Sequence, residues 1–247
     1  MLKQAEKNKG ENMIMETLEK YKNRIYRFMK EEIPEGYIFH TNSGLSRKIS
    51  DTGSFLTFVG DTVVFLLDHE TQRCLEEYQN RLYENCQDML ADRIDSETFH
   101  ITLHDLSNGN PSEELWQTSM RNHIHTKKIL EEFHQMNVGT IQLKPVAVFN
   151  MMNTSIVLGL EPANDQSCRT IMEMYDRLQQ VVELNYPLTL HVTLAYFRPG
   201  DYNIQLVQKL KAVLGKINGE EIPDIEVSIE QLFYQRFDDM NSYYSMK

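Results

Sequence analysis

Two four-residue stretches govern what this 247-residue chain can fold into: His100-Ile101-Thr102-Leu103 and His191-Val192-Thr193-Leu194. Each lies in a run that alternates polar and apolar residues, TFHITLHDL (98–106) and TLHVTLAYF (189–197). Alternation with period two marks a strand covered on one face. In the first strand His100, Thr102 and His104 share a face, with Ile101 and Leu103 behind. In the second, His191, Thr193, Ala195 and Phe197 share a face, opposite Val192, Leu194 and Tyr196. Composition predicts about 0.05 His-x-Thr-Leu matches by chance in a chain of this make-up, so a matched pair points to duplication.

The surroundings repeat as well. The strand TVVFLLD, a helix over 71–91 and the first motif strand parallel TSIVLGLEP, a helix over 164–184 and the second. The motif histidines are 91 residues apart, and moving the first helix by that interval lands it on the second. Repeat units of about 61–106 and 153–197 follow. Elsewhere the pattern predicts a helix over 12–32 ended by Pro34-Glu35-Gly36 and a polar loop over 40–54. A Gly60-Asp61 turn is expected inside FLTFVGDTVVFLLD. Further helices fall over 112–136 and 202–217, strands over 222–237, and a frayed tail over 238–247. The expected fold is α+β and bilobal. Two largely antiparallel sheets with outer helices flank a central cleft about a pseudo-two-fold axis. The domain reading is an N-terminal helical extension (1–36), one bilobal domain (37–237) with interleaved lobes, and the tail.

Charge and cysteine usage narrow the partners. With 25 Lys+Arg against 36 Asp+Glu, the net charge is −11, which disfavours tracking a long duplex phosphate backbone. A small anion in one cleft remains compatible. The polar start and the lack of any apolar run of about 20 residues predict neither a secretory signal nor a membrane span. Cys74, Cys86 and Cys168 read as free thiols of a cytoplasmic protein.

Two imidazoles and two hydroxyls converging on one point suit a phosphodiester. A neutral ring removes a proton from water while an imidazolium protonates the leaving oxygen. Threonine hydroxyls donate to the non-bridging oxygens. With these motifs the chain resembles the two-histidine (2H) phosphoesterase superfamily, defined by paired H-x-T/S motifs in pseudo-symmetric lobes. That superfamily includes 2′,3′-cyclic phosphodiesterases and 2′-5′ RNA ligase-like proteins. The stretch FVGDTVVFLL also resembles an uncharacterised bacterial branch with G-N-T-V before the first motif; Asp61 stands here in place of Asn. The resemblance covers about residues 37–235. It implies His100 and His191 as the acid/base pair, Thr102 and Thr193 as phosphate-oxygen binders, and no metal or cofactor. The implied reaction is hydrolysis of a small nucleotide or short RNA end, foremost a 2′,3′-cyclic phosphate, by a monomer. Alternatives are cleavage of 2′-5′, 3′-5′ or cyclic oligonucleotide linkages, 2′-5′ ligation, or a nucleotide- or RNA-end-binding module without turnover.

Other residues carry two readings each. His104 is a ligand contact or a capped histidine, Phe197 a base-stacking ring or core, and Arg198 a phosphate clamp or a surface cation. The loop 40–54, with Arg47 and Lys48, is a lid over the cleft or an ordinary loop, and Tyr37 and His40 share that ambiguity. His123 and His125, two apart on a helix, point away from each other, and with His134 they make no metal set. Met13, Met15, Met29, Met151 and Met152 read as core fillers.

Overall fold

The computed structural model describes residues 15–29, 38–136 and 138–246. Met13, Pro34-Glu35-Gly36 and Tyr37 lie outside the described residues. The architecture is α+β, built on two four-stranded antiparallel sheets. The first holds β2 (Val59–Leu66), β3 (His100–Gly109), β9 (Leu232–Asp239) and β10 (Ser242–Ser245), in the order β10-β9-β2-β3. The second holds β4 (Ile141–Met151), β5 (Ser155–Pro162), β6 (His191–Tyr196) and β8 (Ile225–Val227), in the order β6-β5-β4-β8. A short ribbon pairs β1 (Phe39–His40) with β7 (Asp201–Tyr202). The motif strands β3 and β6 are therefore matched edges of two sheets, and they touch each other at the middle of the molecule.

Five helices among the described residues complete the fold: α1 (Leu18–Met29), α2 (His69–Cys86), α3 (Glu113–Gln135), α4 (Asp165–Leu178) and α5 (Ile204–Asn218). Four begin at a side-chain cap, Asp68, Ser112, Asn164 or Asn203, each accepting a backbone N–H from three residues on. Such a cap contributes about 1 kcal/mol. Helix α4 stops earlier than periodicity suggests because the Gln179 amide captures the turning chain. Its Oε1 accepts from Leu184 N at 2.6 Å. Residues 179–190 then form a loop beside the cleft.

The crossover helices knit the lobes together. α2, which follows β2 in the first sheet, packs on α5 and on β6 of the second. α4, from the second repeat, reaches β3. One continuous apolar core results, containing Ile101 and Leu103 from β3 and Val192 and Leu194 from β6, all four fully buried. Each such side chain contributes about 1.5–3 kcal/mol.

Three expectations are corrected. The N-terminal helix is no appendage: Tyr21 and Ile25 of α1 are fully buried in the shared core, and Tyr21 Oη donates to the Leu160 carbonyl at 3.1 Å. The tail is not frayed: residues 242–245 pair with β9 as an edge strand, placing Tyr243 against His100. Gly60-Asp61 makes no turn, since β2 continues through it, with a register shift against β3 between Asp61 and Thr62. Gly60 lies where an added Cβ would fall 2.4 Å from both the Phe237 ring and the Ser107 carbonyl, so the glycine serves a close approach.

Asp61 is buried and gathers four donors: Ser107 N (3.0 Å), Ser107 Oγ, Asn122 Nδ2 (3.0 Å) and Tyr234 Oη (3.2 Å). This cluster pins α3 to the first sheet. Asp61→Ala strips the shared acceptor and leaves buried donors unpaired, so a loss of about 2–4 kcal/mol is expected. Denaturant unfolding of the full chain measures it; a loss under about 0.5 kcal/mol would show that the cluster is not structural.

Candidate functional site

The residues that sequence brings together in pairs share one cleft in space. His100, Thr102, His191 and Thr193 all line a cavity of about 550 Å³ between the sheets, with all four side chains half-buried. The two lobes hold their histidines identically. His100 Nδ1 donates to the Thr98 carbonyl at 2.7 Å, and His191 Nδ1 donates to the Thr189 carbonyl at 2.7 Å. A carbonyl only accepts, so each neutral ring keeps its proton on Nδ1 and leaves Nε2 as the acceptor.

Electrostatics of the cleft follow from burial. Desolvation pushes both ring pKa values below the ordinary histidine range. The bonds to Thr98 and Thr189 oppose this, and so does the negative charge of Asp105; His191 depresses His100 further. Lys48, which also lines the cleft, is lowered by burial while Asp105 opposes the shift. The remaining walls are largely aromatic and thioether: Tyr196, Tyr243, Phe58, Met151 and Met240. The Tyr243 ring centroid lies 4.6 Å from that of His100, and Tyr196 Oη donates to Met240 Sδ at 3.3 Å.

The strict alternation expected for the motif strands breaks just after each threonine. Val63 and Val64 of β2 pair with His104 and Thr102, skipping Leu103. Ile156 and Val157 of β5 pair with Ala195 and Thr193, skipping Leu194. A bulge shifts the parity of everything beyond it by one residue. Ala195 turns into the protein, and Asp105 and Tyr196 turn to the cleft. His104 borders the same cleft. It is 1% exposed, donates from Nδ1 to the Asp105 carbonyl at 2.6 Å, and packs on Tyr175. Its Nε2 lies 3.3 Å from Gln179 Oε1.

Phe197 is displaced for the same reason. It is fully buried, with its ring centroid 5.0 Å from that of Phe39, and presents no face to a base. Arg198 lies outside the cleft and donates to the Asp88 carbonyl at 2.7 Å. His40 is exposed and paired with Asp201 at 2.7 Å. Within 40–54, Leu45 and Ile49 are buried and Ile49 bridges Phe55, so the segment is a packed rim that offers Lys48 to the cleft. His123 packs on Tyr234, 4.7 Å between centroids, and His134 Nδ1 donates to the Leu130 carbonyl at 2.7 Å. No group of three His, Cys, Asp or Glu among the described residues converges on a point suited to a metal. The three cysteines are free thiols, and no described helix is long and apolar enough to cross a membrane.

Sequence reasoning missed three contributors. Asp105 and Tyr196 carry no motif signal, because parity alone assigns them to the wrong face. Arg24, on α1, lines the cleft as well. It is ion-paired with Glu16 at 2.8 Å and donates to the Leu188 carbonyl at 2.7 Å and to Thr189 Oγ1 at 3.4 Å. It thus braces the segment whose carbonyl orients His191.

No family model matches the sequence, and no curated protein does. Solved structures similar to the chain include the conserved protein of unknown function ATU0111 from Agrobacterium tumefaciens. That likeness has a TM-score of 0.67 at 16% identity, over 84% of this chain and 93% of that one. It shows a shared fold. Others are a phosphoesterase (TM-score 0.46, 11% identity, 76% and 95% covered) and Escherichia coli LigT complexed with 3′-AMP (0.45, 11%, 77% and 96%).

Burial depresses both histidines, and a bound anion between them must oppose that. NMR titration of the ring protons is expected to place both apparent pKa values below the ordinary value of about 6.5 and to move at least one upward when inorganic phosphate is added. Ring resonances indifferent to phosphate would remove the anion from between them.

Proposed function

We propose that the chain is a 2H phosphoesterase that hydrolyses a small nucleotide or short RNA-end phosphodiester, foremost a 2′,3′-cyclic phosphate. One observation carries this reading. Two pseudo-symmetric strands bring His/Thr pairs to one cleft, with each histidine tied through Nδ1 to the carbonyl two residues before it. Matched motifs, matched tautomers and a shared cavity are what acid/base catalysis at a single phosphorus requires.

The chemistry proceeds through the chain's own side chains. Nε2 of one neutral histidine takes a proton from water as its oxygen bonds to phosphorus. The bond from phosphorus to one ribose oxygen breaks, and Nε2–H of the other, protonated histidine supplies the proton that oxygen needs. Thr102 and Thr193 donate to the non-bridging oxygens as negative charge accumulates there. One water is consumed and a phosphomonoester with a free hydroxyl is released. The pseudo-symmetric motifs leave either histidine able to serve as base. The acidic balance of −11 and the size of the cleft favour a small nucleotide or RNA terminus over a long duplex. A monomeric cytoplasmic enzyme without resident metal or cofactor is the corresponding reading.

The test is hydrolysis by the full chain of 2′,3′-cyclic nucleotides, 2′-5′ dinucleotides and cyclic dinucleotides, with products read by phosphorus NMR. His100→Ala and His191→Ala are each expected to lower kcat by roughly 10²–10⁴, and the double variant by much less than the product. Thr102→Val and Thr193→Val should cost less. EDTA should change nothing; activity abolished by chelation, or histidine variants of wild-type rate, would overturn the proposal.

The pH profile has a definite sign. Activity rises as the base loses its proton and falls as the acid loses its own, giving a bell. Burial lowers both rings, so kcat/KM, which reports the free enzyme, should peak below about pH 6.5. The bound phosphate raises both, so kcat should peak at higher pH. A profile rising monotonically to a plateau contradicts paired proton transfer.

A further inference from the structure

We propose that Asp105 is a specificity-determining residue: its carboxylate accepts a hydrogen bond from an uncharged O–H or N–H group on the nucleoside part of the substrate and turns away a substrate carrying a second phosphate. This rests on the phosphate lying between His100 and His191. The two motif strands match in histidine, threonine, bulge and Nδ1 partner, and they part company at the residue the bulge delivers to the cleft. β6 presents the phenol of Tyr196 there, and β3 presents the carboxylate of Asp105. The site is therefore chemically one-sided, although its catalytic floor is not.

A carboxylate beside a phosphate site needs a reason. Asp105 is half-buried, and its Oδ2 accepts from Tyr186 Oη at 2.8 Å. Among the described residues no Lys, Arg or His lies within ion-pair distance of it, and Oδ1 receives no protein donor. An ionised carboxylate offers about four acceptor sites, so most of its capacity faces the cavity unused. It lines the same cavity as His100, His191, Lys48 and Tyr196, and its charge acts on all four. Phosphate oxygens are acceptors and anionic, so they cannot satisfy Asp105 and are repelled by it. What it can accept is a donor on the organic part, a ribose hydroxyl or a base N–H. Arg24 does not neutralise the cleft, being committed to Glu16 and the Leu188 carbonyl. Lys48 sits against the Phe58 ring, 5.0 Å from its centroid.

Calorimetry on the full chain tests this without requiring turnover. The probes are adenosine 3′-monophosphate, adenosine 3′,5′-bisphosphate, purine riboside 3′-monophosphate, which lacks the amino group, and 5′-deoxyadenosine 3′-monophosphate, which lacks the 5′-hydroxyl. The wild type is expected to bind the monophosphate about tenfold or more tighter than the bisphosphate. One of the two truncated probes should lose about tenfold, identifying the donor as hydroxyl or amine. Asp105→Asn keeps an acceptor oxygen and loses the charge, so it should narrow the mono/bis preference by about tenfold. Asp105→Ala should also weaken the monophosphate, and Tyr186→Phe, which keeps the charge, should retain the preference. A wild type that binds the bisphosphate as tightly as the monophosphate overturns the proposal, whatever the variants do. So do an Asp105→Asn preference equal to wild type, and failure of every probe to bind. Preference without hydrolysis removes the reaction and keeps the Asp105 role; hydrolysis without preference does the reverse.

Discussion

The seam between β3 and β6 sets the terms for the rest of the molecule. Each strand must bury one face and expose the other, and placing the two as facing sheet edges answers both demands together. Ile101, Leu103, Val192 and Leu194 feed one core, while the histidines and threonines share one cleft. The crossover helices hold that seam by packing on the opposite repeat. Lobes stapled through a common core have little freedom to slide, and the proton-transfer pair proposed above needs that rigidity, because small errors in distance are costly to catalysis.

Support for the site arrives from segments distant in sequence. The carbonyls of Thr98 and Thr189 set the tautomers, and each belongs to a braced turn. Arg24 of α1 braces the second. At the first, Asn241 Oδ1, just before β10, accepts from Asp95 N at 2.7 Å and from Thr98 Oγ1 at 3.5 Å. The terminal elements thus serve corresponding purposes on the two lobes with unrelated chemistry. Internal duplication explains the paired motifs; it does not explain these supports, which are particular to each lobe.

The twin bulges divide what duplication preserved from what it left free. Both follow the motif threonine, and both re-aim the next residues by one position. Under simple alternation His104 and Phe197 stand open to the cleft; with the bulge, His104 is buried at its wall and Phe197 becomes core. His104 still carries polar nitrogens and finds an acceptor at the Asp105 carbonyl, whereas Phe197 needs only apolar neighbours and has Phe39. The residues that replace them at the surface of the cleft, Asp105 and Tyr196, are where the two halves differ chemically.

Much of the architecture was legible in the sequence because it depends on local periodicity. The alternation around His100 and His191 and the helical periodicities act over a few residues, so strands, helices and the repeated unit follow from composition and order. The pairing of His/Thr motifs likewise named the catalytic candidates. Register is a different matter. Whether Leu103 is skipped in the ladder is decided by the partner strand β2, and whether Gly60-Asp61 turns or continues is decided by Phe237, Ser107 and Asn122 closing around it. Tyr21 is a polar-tipped residue on an amphipathic helix until Leu160 and Leu190 enclose it, and the tail acquires order only against β9. In each case a contact between residues far apart in the chain outweighs the local preference. That is why the paired histidines and threonines of the cleft could be read from the sequence, while the walls that surround them, Asp105 among them, were settled only by the tertiary structure.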